Sequence, residues 1–584
     1  RLFELFRKLE FKSLLKDLAY APQGSKEAGA VNLATSAQKL DEIIAEVAHS
    51  KSSFAFMVDE NGIYLCRKEQ EVAWVPKEQI NRLRGFFSDE KIAKATYDLK
   101  AGIISLKKSG IELKGKVFDC LLAGYLLEPA RADFSLKELC WEYLDSTDAV
   151  ALDTSAQAAQ VFRIIPVLKE KLEEKKLDEL FYQVELPLAA VLADMELAGV
   201  RLDAGILKEL SVQMRSRTQE LIKEIYALSG EEFNVNSPKQ LSRILFEKLN
   251  LPVVKRTKTG ISTDEEVLLK LSERHRIAKL LLEFRQLTKL TSTYVDVLPT
   301  LINPQTGRLH TSFDQTGTET GRLSSHDPNL QNIPIKTELG RQIRRAFVSG
   351  AANLSLLCAD YSQIELRILA HLSGDENLIK AFKNNEDIHT FTAALIFSLK
   401  PAAVTTEMRE RAKRVNFGII YGMSAYGLSK DLNIPADEAQ NFIDAYFARY
   451  PEVKAFCETQ INQARKGGFV TTILGRRRYL PQINSTSNAI RQFAERQAIN
   501  APVQGSAADL IKLAMIDIHG RIKREGLKSR LILQVHDELV FDCPDAELGD
   551  MRALVKERME KVMELRVPVK ASIGVGKNWL ELVM

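Results

Sequence analysis

The stretch Leu354-Ser355-Leu356-Leu357-Cys358-Ala359-Asp360 is a short apolar run, of the length of one strand, that ends at an acidic residue. It is followed by Ser362-Gln363-Ile364-Glu365-Leu366-Arg367, which has the character of a helix. A carboxylate at the point where a buried strand emerges is well placed to bind a ligand. An aspartate that only caps the next helix would give the same local sequence. The segment therefore predicts a strand, a turn and a helix, and it leaves the role of Asp360 open.

A second acidic group lies late in the sequence. The apolar strand Leu531-Ile532-Leu533-Gln534-Val535 runs into His536-Asp537-Glu538 and then into Leu539-Val540-Phe541. Three titratable residues between two apolar halves predict a tight turn that presents acids beside a core. A plain polar hairpin turn is the alternative that this segment alone leaves open.

A third segment carries Arg409, Lys413, Phe417 and Tyr421 at every fourth position. Four residues turn a helix by about 400°, so the four side chains share one slowly turning stripe that is roughly 18 Å long. Two cations followed by two aromatic rings match a triphosphate joined to a flat base. A surface helix with extended cationic side chains and a buried aromatic end is the alternative.

Composition places the chain among ordinary globular proteins. Its 584 residues are 45% hydrophobic and 27% charged, which excludes collagen-like, mucin-like and wholly disordered chains. At roughly 150 residues per domain, the length predicts about four packing units. No run approaches the ~18 consecutive apolar residues of a membrane span, so no membrane partner is expected. The six cysteines are far apart and contain no Cys-x-x-Cys pair, which favours a reducing cytosol over a zinc ribbon or a disulfide framework.

The net charge of +4 conceals two basic segments. Residues 239–289 hold twelve Lys and Arg against six Asp and Glu, and residues 465–497 hold seven against one, an excess of six positive charges in each. One such segment could be a solvated helix face. Two long ones in a nearly neutral chain favour a track for a polyanion, because phosphate contacts are made mainly by Lys and Arg.

Patterns along the chain predict how it is organised. Residues 1–176 form one α/β unit, with a strand, a turn and a strand over 54–66, and residues 362–465 form a long helical block. Ser237-Pro238 predicts the start of a helix, because serine caps free N–H groups and proline suits the first turn. The basic run Lys255-Arg256-Thr257-Lys258-Thr259-Gly260 lacks periodicity and predicts an exposed loop.

The segments around these residues resemble the motifs of the family A, polymerase I-like, DNA polymerases. The matching stretches, in the order of the family, are thumb-like sequences at 234–241 and 292–294, two further matches at 320–325 and 329–334, motif A at 360–367, motif B at 409–422, another match at 500–505 and motif C at 534–538. The resemblance is nearly continuous over residues 180–584 and is closest to the large, Klenow-like fragment of the bacterial enzymes, without a 5′-nuclease domain.

This resemblance implies an α/β multidomain fold. It consists of a right-hand polymerase with palm, fingers and thumb, preceded by an RNase H-like domain of the 3′–5′ exonuclease type. The expected division is 1–176 for the exonuclease-like domain, 177–310 for the thumb with the start of the palm, 311–368 for the palm with motif A, 369–495 for the fingers, and 496–584 for the palm with motif C.

The resemblance also implies template-directed addition of dNTPs to a primer 3′ end. Asp360 and Asp537 would then meet in the palm and share two metal ions about 3.5–4 Å apart, which such a transfer needs. Mg²⁺ is the expected ion, with Mn²⁺ as a substitute, because it prefers hard oxygen ligands. The backbone carbonyl of Tyr361 is expected as a further ligand, and Glu538 is expected to tune the site rather than to bridge the ions.

Nucleotide-binding residues are carried over from the same family motifs. Arg409 and Lys413 would grip the triphosphate, Lys413 with a catalytic role, and His389 would add a third contact. Phe417 and Tyr421 would line the base and the sugar. Glu365 would act as a steric gate that leaves no room for a 2′-hydroxyl, and Gln363 is assigned to the same nucleotide site.

DNA-binding residues are expected in two groups. The first group would contact the primer–template near its terminus and comprises Arg322, Asn500, Gln504 and His536, and Asn332 and Arg496 are expected as further DNA contacts. The second group would lie on the duplex backbone and comprises Lys255, Arg256 and Lys258, with some of Arg476, Arg477 and Arg478. Such contacts read shape rather than sequence, as a polymerase that accepts every correct pair requires.

The first domain departs from the exonuclease pattern. An active member needs Asp-x-Glu on its first strand, a second aspartate after an Asn-Leu-Lys-like stretch, and Tyr-x-x-x-Asp. Here the strand at 54–58 carries no acid, Asp98 lies near the second position, and Asp148 follows Tyr143 one residue too late. We therefore expect a vestigial scaffold without proofreading, an active exonuclease in another register being the alternative.

Three other functions fit these motifs less well. A single-subunit RNA polymerase shares the three motifs in outline, but Glu365 and residues 320–325 argue against it. A decayed nucleic-acid-binding protein is disfavoured because both aspartates are present, and a primary nuclease lacks its acids. The expected enzyme is a monomer of the bacterial cytoplasm, associated with the nucleoid, that acts in DNA repair and in the filling of replication gaps.

Overall fold

The computed structural model describes residues 32–34, 42, 53–68, 71–144, 153–257, 260–335 and 337–582. Its first part contains six strands: β1 (Asn32–Ala34), β2 (Phe54–Val58), β3 (Gly62–Lys68), β4 (Glu71–Pro76), β5 (Lys94–Thr96) and β6 (Val117–Asp119). They form one mixed sheet in the order β1-β4-β3-β2-β5-β6. β2 and β3 are antiparallel, whereas β2, β5 and β6 are parallel to one another.

The predicted hairpin at 54–66 is confirmed. Asp59 closes its turn, because its Oδ1 accepts hydrogen bonds from the N–H groups of Asn61 at 2.8 Å and Gly62 at 3.0 Å. An aspartate side chain that bonds its own following backbone groups favours such turns. The carboxylate of Asp59 is therefore occupied by these two hydrogen bonds, which close the turn.

Helices cover this sheet and lead away from it. They are α1 (Arg84–Ser88), α2 (Leu99–Lys108), α3 (Cys120–Leu127), α4 (Leu136–Leu144), α5 (Thr154–Glu174), α6 (Asp178–Leu180) and α7 (Leu186–Ala198), with a 3₁₀ segment at Lys77–Leu83 and a π-helical segment at Phe181–Glu185. Asp98, Asp119 and Asp153 cap α2, α3 and α5, each accepting a backbone N–H at the start of its helix. Such caps satisfy N–H groups that have no partner inside a helix.

The next part is built from long helices. Its elements are β7 (Val200–Leu202), α8 (Ala204–Ser229), α9 (Pro238–Ser242), β8 (Arg256–Thr257), β9 (Gly260–Ile261), α10 (Glu265–Ser272) and α11 (Arg276–Leu290), with π-helical segments at Arg243–Lys248 and Thr291–Val295 and a 3₁₀ segment at Leu298–Leu301. The predicted helix start is confirmed: Ser237 Oγ accepts the N–H of Gln240 at 3.4 Å.

The basic run at 255–260 differs from the prediction of a loop. Arg256–Thr257 and Gly260–Ile261 pair as a short antiparallel hairpin, and Thr257 Oγ1 donates to the carbonyl of Gly260 at 3.0 Å. The hairpin is exposed, as predicted. Each of its two strands is only two residues long, which is too short to show a periodic pattern in the sequence. Lys258 lies outside the described residues.

Short strands and one long strand follow. They are β10 (Arg308–Leu309), β11 (Ser312–Asp314), β12 (Ser324–His326), α12 (Glu338–Arg345), β13 (Phe347–Val348) and β14 (Leu354–Tyr361). β10 and β13 flank β7, and β11 pairs with β12. β14 is the apolar run predicted around Asp360, and most of its residues are buried.

The predicted helical block is confirmed. It comprises α13 (Ile364–Ser373), α14 (Glu376–Lys383), α15 (Ile388–Ile396), α16 (Thr406–Ile420), α17 (Ala425–Leu432), α18 (Ala436–Arg449) and α19 (Pro451–Gly467), with a 3₁₀ turn at Pro401–Ala403. A hairpin of β15 (Phe469–Thr471) and β16 (Arg477–Tyr479) leads to α20 (Asn488–Arg524), a 37-residue helix.

The C-terminal part completes a central sheet. Its elements are β17 (Arg530–Val535), β18 (Glu538–Pro544), α21 (Leu548–Glu560) and β19 (Ala571–Gly576), with 3₁₀ turns at Asp545–Glu547 and Trp579–Leu582. The sheet has the order β17-β18-β14-β19, and β14 is antiparallel to both of its neighbours. Its register places Asp360 opposite Glu538.

Two apolar clusters account for most of the core. One continues from Leu188 to Leu582 through the long helices, the central sheet and the helical block, and the other lies beneath the first sheet. Among the helices that the structure describes, none has the length and apolarity that crossing a bilayer would require.

Candidate active site

A cleft of about 640 Å³ opens at one edge of the central sheet, between β14, the β17–β18 turn and the helices α13, α16 and α20. All the residues predicted for the nucleotide line it: Gln363, Glu365, His389, Arg409, Lys413, Phe417 and Tyr421. So do the predicted metal ligands Asp360, Tyr361 and Asp537, and the predicted DNA contacts Arg322 and His536. The fold thus brings residues that are far apart in sequence to the walls of one cleft.

Asp360 and Asp537 meet at the floor of this cleft. Asp537 lies in the turn before β18, and its backbone carbonyl accepts the N–H of Tyr361 at 3.3 Å. Burial, the charge of Asp537 and a hydrogen bond with its side chain raise the pKa of Asp360 to about 8. Burial also raises the pKa of Asp537. Two half-buried carboxylates in contact repel each other, so they retain a proton or need a cation between them.

Glu538 is adjacent in sequence but is held by other groups. Trp579 Nε1 donates to its Oε1 at 2.8 Å, and the Cys358 thiol donates to the same oxygen at 3.1 Å. The guanidinium of Arg344 lies 3.8 Å from the other oxygen and 4.0 Å from the centre of the Trp579 ring. This arrangement favours the prediction that Glu538 tunes the site. Within the described ranges, no cluster of three or more His, Cys, Asp or Glu side chains is arranged to hold a metal.

The stripe on α16 lines the same cleft as the carboxylate pair. Arg409, Lys413 and Phe417 lie within the helix, which ends at Ile420, and Tyr421 is the residue that caps its end. The rings of Phe417 and Tyr421 are stacked, with centroids 6.3 Å apart and planes 22° apart. Arg409 Nε donates to Asp387 Oδ2 at 2.6 Å. The geometry confirms that the four side chains share one face.

His389 is held in one tautomer. Thr392 Oγ1 donates to the amide oxygen of Asn416 at 3.0 Å, which turns the Asn416 nitrogen toward His389 Nδ1 at 2.9 Å. An amide nitrogen only donates, so Nδ1 accepts and the ring proton lies on Nε2. Burial lowers the pKa of His389 to about 4. The imidazole is therefore neutral at pH 7 and offers an uncharged N–H donor to the cleft.

Glu365 is fixed from two sides. Arg322 donates to its Oε1 at 2.6 Å, and the Tyr421 hydroxyl donates to its Oε2 at 3.1 Å. Burial raises the pKa of Glu365, and Arg322 opposes that effect. Gln363, just before α13, has a left-handed backbone with φ of 54°. That turn ends β14 and directs the first turn of α13 toward the cleft.

A chain of polar side chains continues along the cleft. The Gln504 amide oxygen accepts from the Arg322 guanidinium at 3.0 Å. Gln331 Nε2 donates to the side-chain oxygen of Gln534 at 3.0 Å, and Gln534 Nε2 donates to the backbone carbonyl of His536 at 2.5 Å. His536 is exposed at the β17–β18 turn with φ of 56°. Of these residues, Arg322, Gln534 and His536 line the cleft.

The remaining predicted DNA contacts lie outside the walls of the cleft. The backbone carbonyl of Asn332 accepts from the Tyr294 hydroxyl at 2.9 Å, and the Arg496 guanidinium lies 5.6 Å from the exposed Phe493 ring. Asn500 has a buried side-chain oxygen with no hydrogen-bond partner among the described groups. Lys255 pairs with Asp264 at 2.7 Å on the exposed hairpin that also carries Arg256.

The expectation of a DNA contact is wrong for Arg476. This guanidinium is 3% exposed and pairs with Glu185 and with Asp509, the latter at 2.8 Å. Its neighbours are also engaged within the protein, since Arg477 donates to the carbonyl of Lys175 at 2.8 Å and Arg478 pairs with Glu319 at 2.9 Å. The three arginines therefore bind other segments of the protein and connect the β15–β16 hairpin to them.

Sequence reasoning missed several groups of the site. Asp387 orients Arg409, and Asn416 fixes the tautomer of His389. Lys512 lines the cleft and pairs with Glu185 at 2.8 Å. It follows Gln504 by eight residues on α20, which places the two side chains about 80° apart around the helix, so the spacing alone does not indicate it.

The acids of the first domain serve local structure. β2 carries no acid, Asp59 closes a turn, and Asp98 caps α2. Asp119 is buried and accepts N–H groups at the starts of both α2 and α3. Tyr143 lies at the end of α4, and Asp148 lies outside the described residues.

The fold and the cleft define a nucleic-acid polymerase with palm, fingers and thumb. A family model described as DNA polymerase family A matches residues 204–581, and one described as DNA polymerase I, ribonuclease H-like domain, matches residues 42–155. The chain is 42% identical to DNA polymerase I of Geobacillus stearothermophilus over 99% of this chain and 69% of that protein. It is 43% identical to DNA polymerase I of Bacillus subtilis over 92% of this chain and 63% of that protein.

A solved structure resembles it throughout. This is the POL domain of Pol1 from M. smegmatis, in complex with a DNA primer-template and dNTP, with a TM-score of 0.88 and 39% identity over 93% of this chain and 98% of that one. The chain belongs to DNA polymerase family A and is a DNA-directed DNA polymerase. It spans about two thirds of the length of the two bacterial relatives named above.

Proposed function

We propose that this chain joins dNTPs to a primer 3′ end in the cleft around Asp360 and Asp537, using divalent metal ions held by those two carboxylates. One observation carries the proposal: the carboxylate pair and the cationic stripe of α16 line a single cleft. Nucleotidyl transfer needs both, because charge is rearranged between an attacking 3′-oxygen and a leaving pyrophosphate.

The carboxylate pair fits Mg²⁺. Its donors are oxygens only, which suit Mg²⁺, with Mn²⁺ as a substitute, better than softer metals. The raised pKa of Asp360 reflects a buried negative pair that binding of a cation would stabilise. The backbone carbonyl of Tyr361 is a third oxygen, and water and substrate phosphates complete such a shell. Two bound Mg²⁺ ions supply charge stabilisation to the attacking and leaving oxygens.

The helix α16 would bind the triphosphate. Arg409 would exchange Asp387 for a phosphate oxygen, and Lys413 would neutralise charge that develops on the leaving pyrophosphate. His389, neutral and protonated on Nε2, would donate a hydrogen bond that does not depend on its charge. The stacked rings of Phe417 and Tyr421 would hold the base and the sugar.

A carboxylate variant tests the proposal. We expect Asp360→Ala or Asp537→Ala to lower primer extension by at least ~10²–10³-fold, because loss of one preorganised charge-stabilising group already costs that much. DNA affinity should change by only a few-fold. Asp545→Ala is a matched control, since Asp545 follows the far end of β18. Extension near the normal rate in either active-site variant would overturn the assignment.

Glu365 is proposed as the gate against ribonucleotides. The bonds from Arg322 and Tyr421 hold its carboxylate in one place at the cleft, so it cannot move aside for a 2′-hydroxyl. We expect Glu365→Ala to incorporate rNTPs more readily, whereas Glu365→Gln, which keeps the bulk, should retain discrimination better. Competing dNTP and rNTP extension measures this, and equal discrimination in Glu365→Ala and the natural protein would refute the gate.

Contacts with DNA are proposed along the polar chain and on the exposed surfaces. Arg322, Gln504 and His536 would meet the primer–template at the cleft, and Asn500, one helical turn before Gln504 on α20, would meet it as well. Lys255 and Arg256 on the exposed hairpin would lie along the duplex, together with Lys258, and Asn332 and the half-buried Arg496 would add further contacts. Charge removal at the hairpin should weaken binding for all sequences alike and reduce its salt dependence.

The first domain is proposed to be a scaffold without proofreading. Support comes from its acids: Asp59 closes a turn, Asp98 caps α2, and Asp119 accepts N–H groups at the starts of α2 and α3. Release of a 3′-terminal mismatch with Mg²⁺ tests this, and release at a rate comparable to extension would contradict it. By kinship with bacterial DNA polymerase I, we further propose a monomer of the bacterial cytoplasm and nucleoid that serves DNA repair and fills replication gaps.

A further inference from the structure

The loop that joins β11 to β12 carries Arg322 to the catalytic cleft. It spans residues 315–323, and its C-terminal end lines the cleft. The guanidinium of Arg322 donates to Glu365 Oε1 at 2.6 Å and to the Gln504 amide oxygen at 3.0 Å. The position of this loop therefore determines where Arg322 lies and how it holds Glu365.

A tyrosine of the first domain holds the middle of this loop. Tyr125, on α3, is fully buried, and its hydroxyl donates to the backbone carbonyl of Thr318 at 2.8 Å. The ring packs edge-on against Phe134, with centroids 5.7 Å apart. Because a close-packed interior leaves such a ring one orientation, the hydroxyl reaches the loop at a fixed point.

A lysine of the first domain holds the base of the same hairpin. The ammonium of Lys100, on α2, donates to Glu196 Oε1 at 2.7 Å and to the backbone carbonyl of Phe313 on β11. The N–H of Phe313 donates to the same oxygen of Glu196 at 2.8 Å. The first domain thus contacts the β11–β12 hairpin at two separate points, once at its base and once in its loop.

Within the loop, the contact at Thr318 is linked directly to Arg322. Thr318 Oγ1 donates to the backbone carbonyl of Arg322 at 2.7 Å. Gly321 lies between them with φ of 85°, and a Cβ at this position would lie only 2.5 Å from Nε of the buried Arg476. The loop is therefore packed closely on that side, and a displacement of Thr318 would be passed on to Arg322.

We propose that the first domain positions Arg322, and through it Glu365, for selection of the deoxyribonucleotide, with Tyr125 as the positioning residue. This inference rests on the proposed gate at Glu365. It gives the first domain a role in polymerisation that requires none of the acids of an exonuclease. Tyr125 touches no substrate and acts only through its hydrogen bond to Thr318.

Tyr125→Phe removes the hydroxyl and keeps the packed ring. We expect the preference for a dNTP over the matching rNTP, taken as the ratio of their kcat/KM values, to fall roughly fivefold, as the loss of one net hydrogen bond predicts. The amount of folded protein cancels from this ratio, so a purely structural effect would leave it unchanged.

Tyr226→Phe is the matched control. The Tyr226 hydroxyl also donates to a backbone carbonyl at 2.8 Å, that of Phe233, but it lies beyond α8 and outside the walls of the cleft. Both variants lose the same kind of bond, so we expect similar losses of stability in urea. Only Tyr125→Phe should change the preference for dNTPs.

Two further variants show where the effect passes. In an Arg322→Ala background, Tyr125→Phe should add nothing to the change in the ratio, whereas independent effects would multiply. Glu365→Ala tests the gate itself in the same assay. If Glu365→Ala keeps the natural ratio, the gate is wrong, and kcat per active site, titrated from the burst of the first turnover, then decides the role of Tyr125 by the same comparisons.

A fall of that kcat in Tyr125→Phe, but not in Tyr226→Phe, would still support the positioning of Arg322. The proposal is contradicted if Tyr125→Phe matches Tyr226→Phe in both the ratio and kcat. It is equally contradicted if Tyr125→Phe has its full effect when Arg322 is absent.

Discussion

A buried ionic cluster joins three parts of the chain and should be sensitive to a single change of charge. Glu185 Oε1 accepts from Lys512 Nζ at 2.8 Å and from Arg476, whose Nε also donates to Asp509 at 2.9 Å. The side chains of Glu185 and Lys512 are 0% and 1% exposed. Gln315 Nε2 donates to the other oxygen of Glu185 at 2.8 Å. We therefore expect Glu185→Gln to destabilise the protein while preserving the shape of the side chain.

The magnitude follows from the charges that remain. In Glu185→Gln, Arg476 and Lys512 would share only Asp509, so one buried cation would lack compensation, which costs about 3–5 kcal/mol. The pKa of Glu185 gives a similar value. Burial acts to raise it, but Lys512 and Arg476 bring it from 4.5 to about 2. A fall of that size corresponds to about 3 kcal/mol in favour of the charged form.

Urea unfolding, followed by tryptophan fluorescence, measures the loss. The double variant Glu185→Gln with Lys512→Met removes one charge of each sign, leaves the Arg476–Asp509 pair intact, and should recover most of the stability. Glu557→Gln, at an exposed glutamate paired with Lys561, is the control and should have no measurable effect. A loss below about 1 kcal/mol for Glu185→Gln, or a double variant as unstable as the sum of the single changes, would refute the reasoning.

Three further predictions follow from groups with a defined environment. The natural protein should be more stable than Glu185→Gln, with the full difference present above about pH 4.5 and lost as the pH falls toward 2. The reason is that the depressed pKa of Glu185 favours the folded state only while the carboxylate is charged. Unfolding midpoints at several pH values measure this difference. His389 has a pKa of about 4 in the folded protein and 6.5 in the unfolded chain. Because only the unfolded chain takes up this proton between pH 6.5 and 4, His389 should lower the stability of the fold as the pH falls through that range. His389→Gln should remove this contribution. Ser237→Ala should destabilise α9 by about 1 kcal/mol, because the helix loses its cap, whereas Ser237→Asp keeps a capping oxygen and should not. The rate of hydrogen exchange at the Gln240 amide measures the difference.

Local elements were predicted well because their causes are local. The hairpin at 54–66, the helix start at Ser237 and the strand before Asp360 all depend on neighbouring residues, and the structure has each of them. The four-residue spacing from Arg409 to Tyr421 likewise needed only helical geometry. The hairpin at 255–260 was predicted as a loop, because a pair of two-residue strands leaves no periodic pattern.

The errors concern partners that are distant in sequence. Arg476 was expected on DNA because three consecutive arginines resemble a phosphate-binding run, and nothing local distinguishes an exposed arginine from one buried against Glu185. Asn416 and Asp387 were missed for the same reason, since their roles depend on His389 and Arg409 from other helices. Side-chain roles of this kind appear only when the elements have packed.

The sequence by itself determined the chemical groups and their local placement: acids at the ends of two apolar strands, and cations with rings on one helix face. These depend on dihedral preferences and periodicity, which act over a few residues. Only the tertiary structure decided that Asp360 and Asp537 touch, that Glu538 is held by Trp579, and that Arg476 is buried against Glu185. Those relations depend on burial and on charges from distant segments, and neither exists until the chain has folded around them.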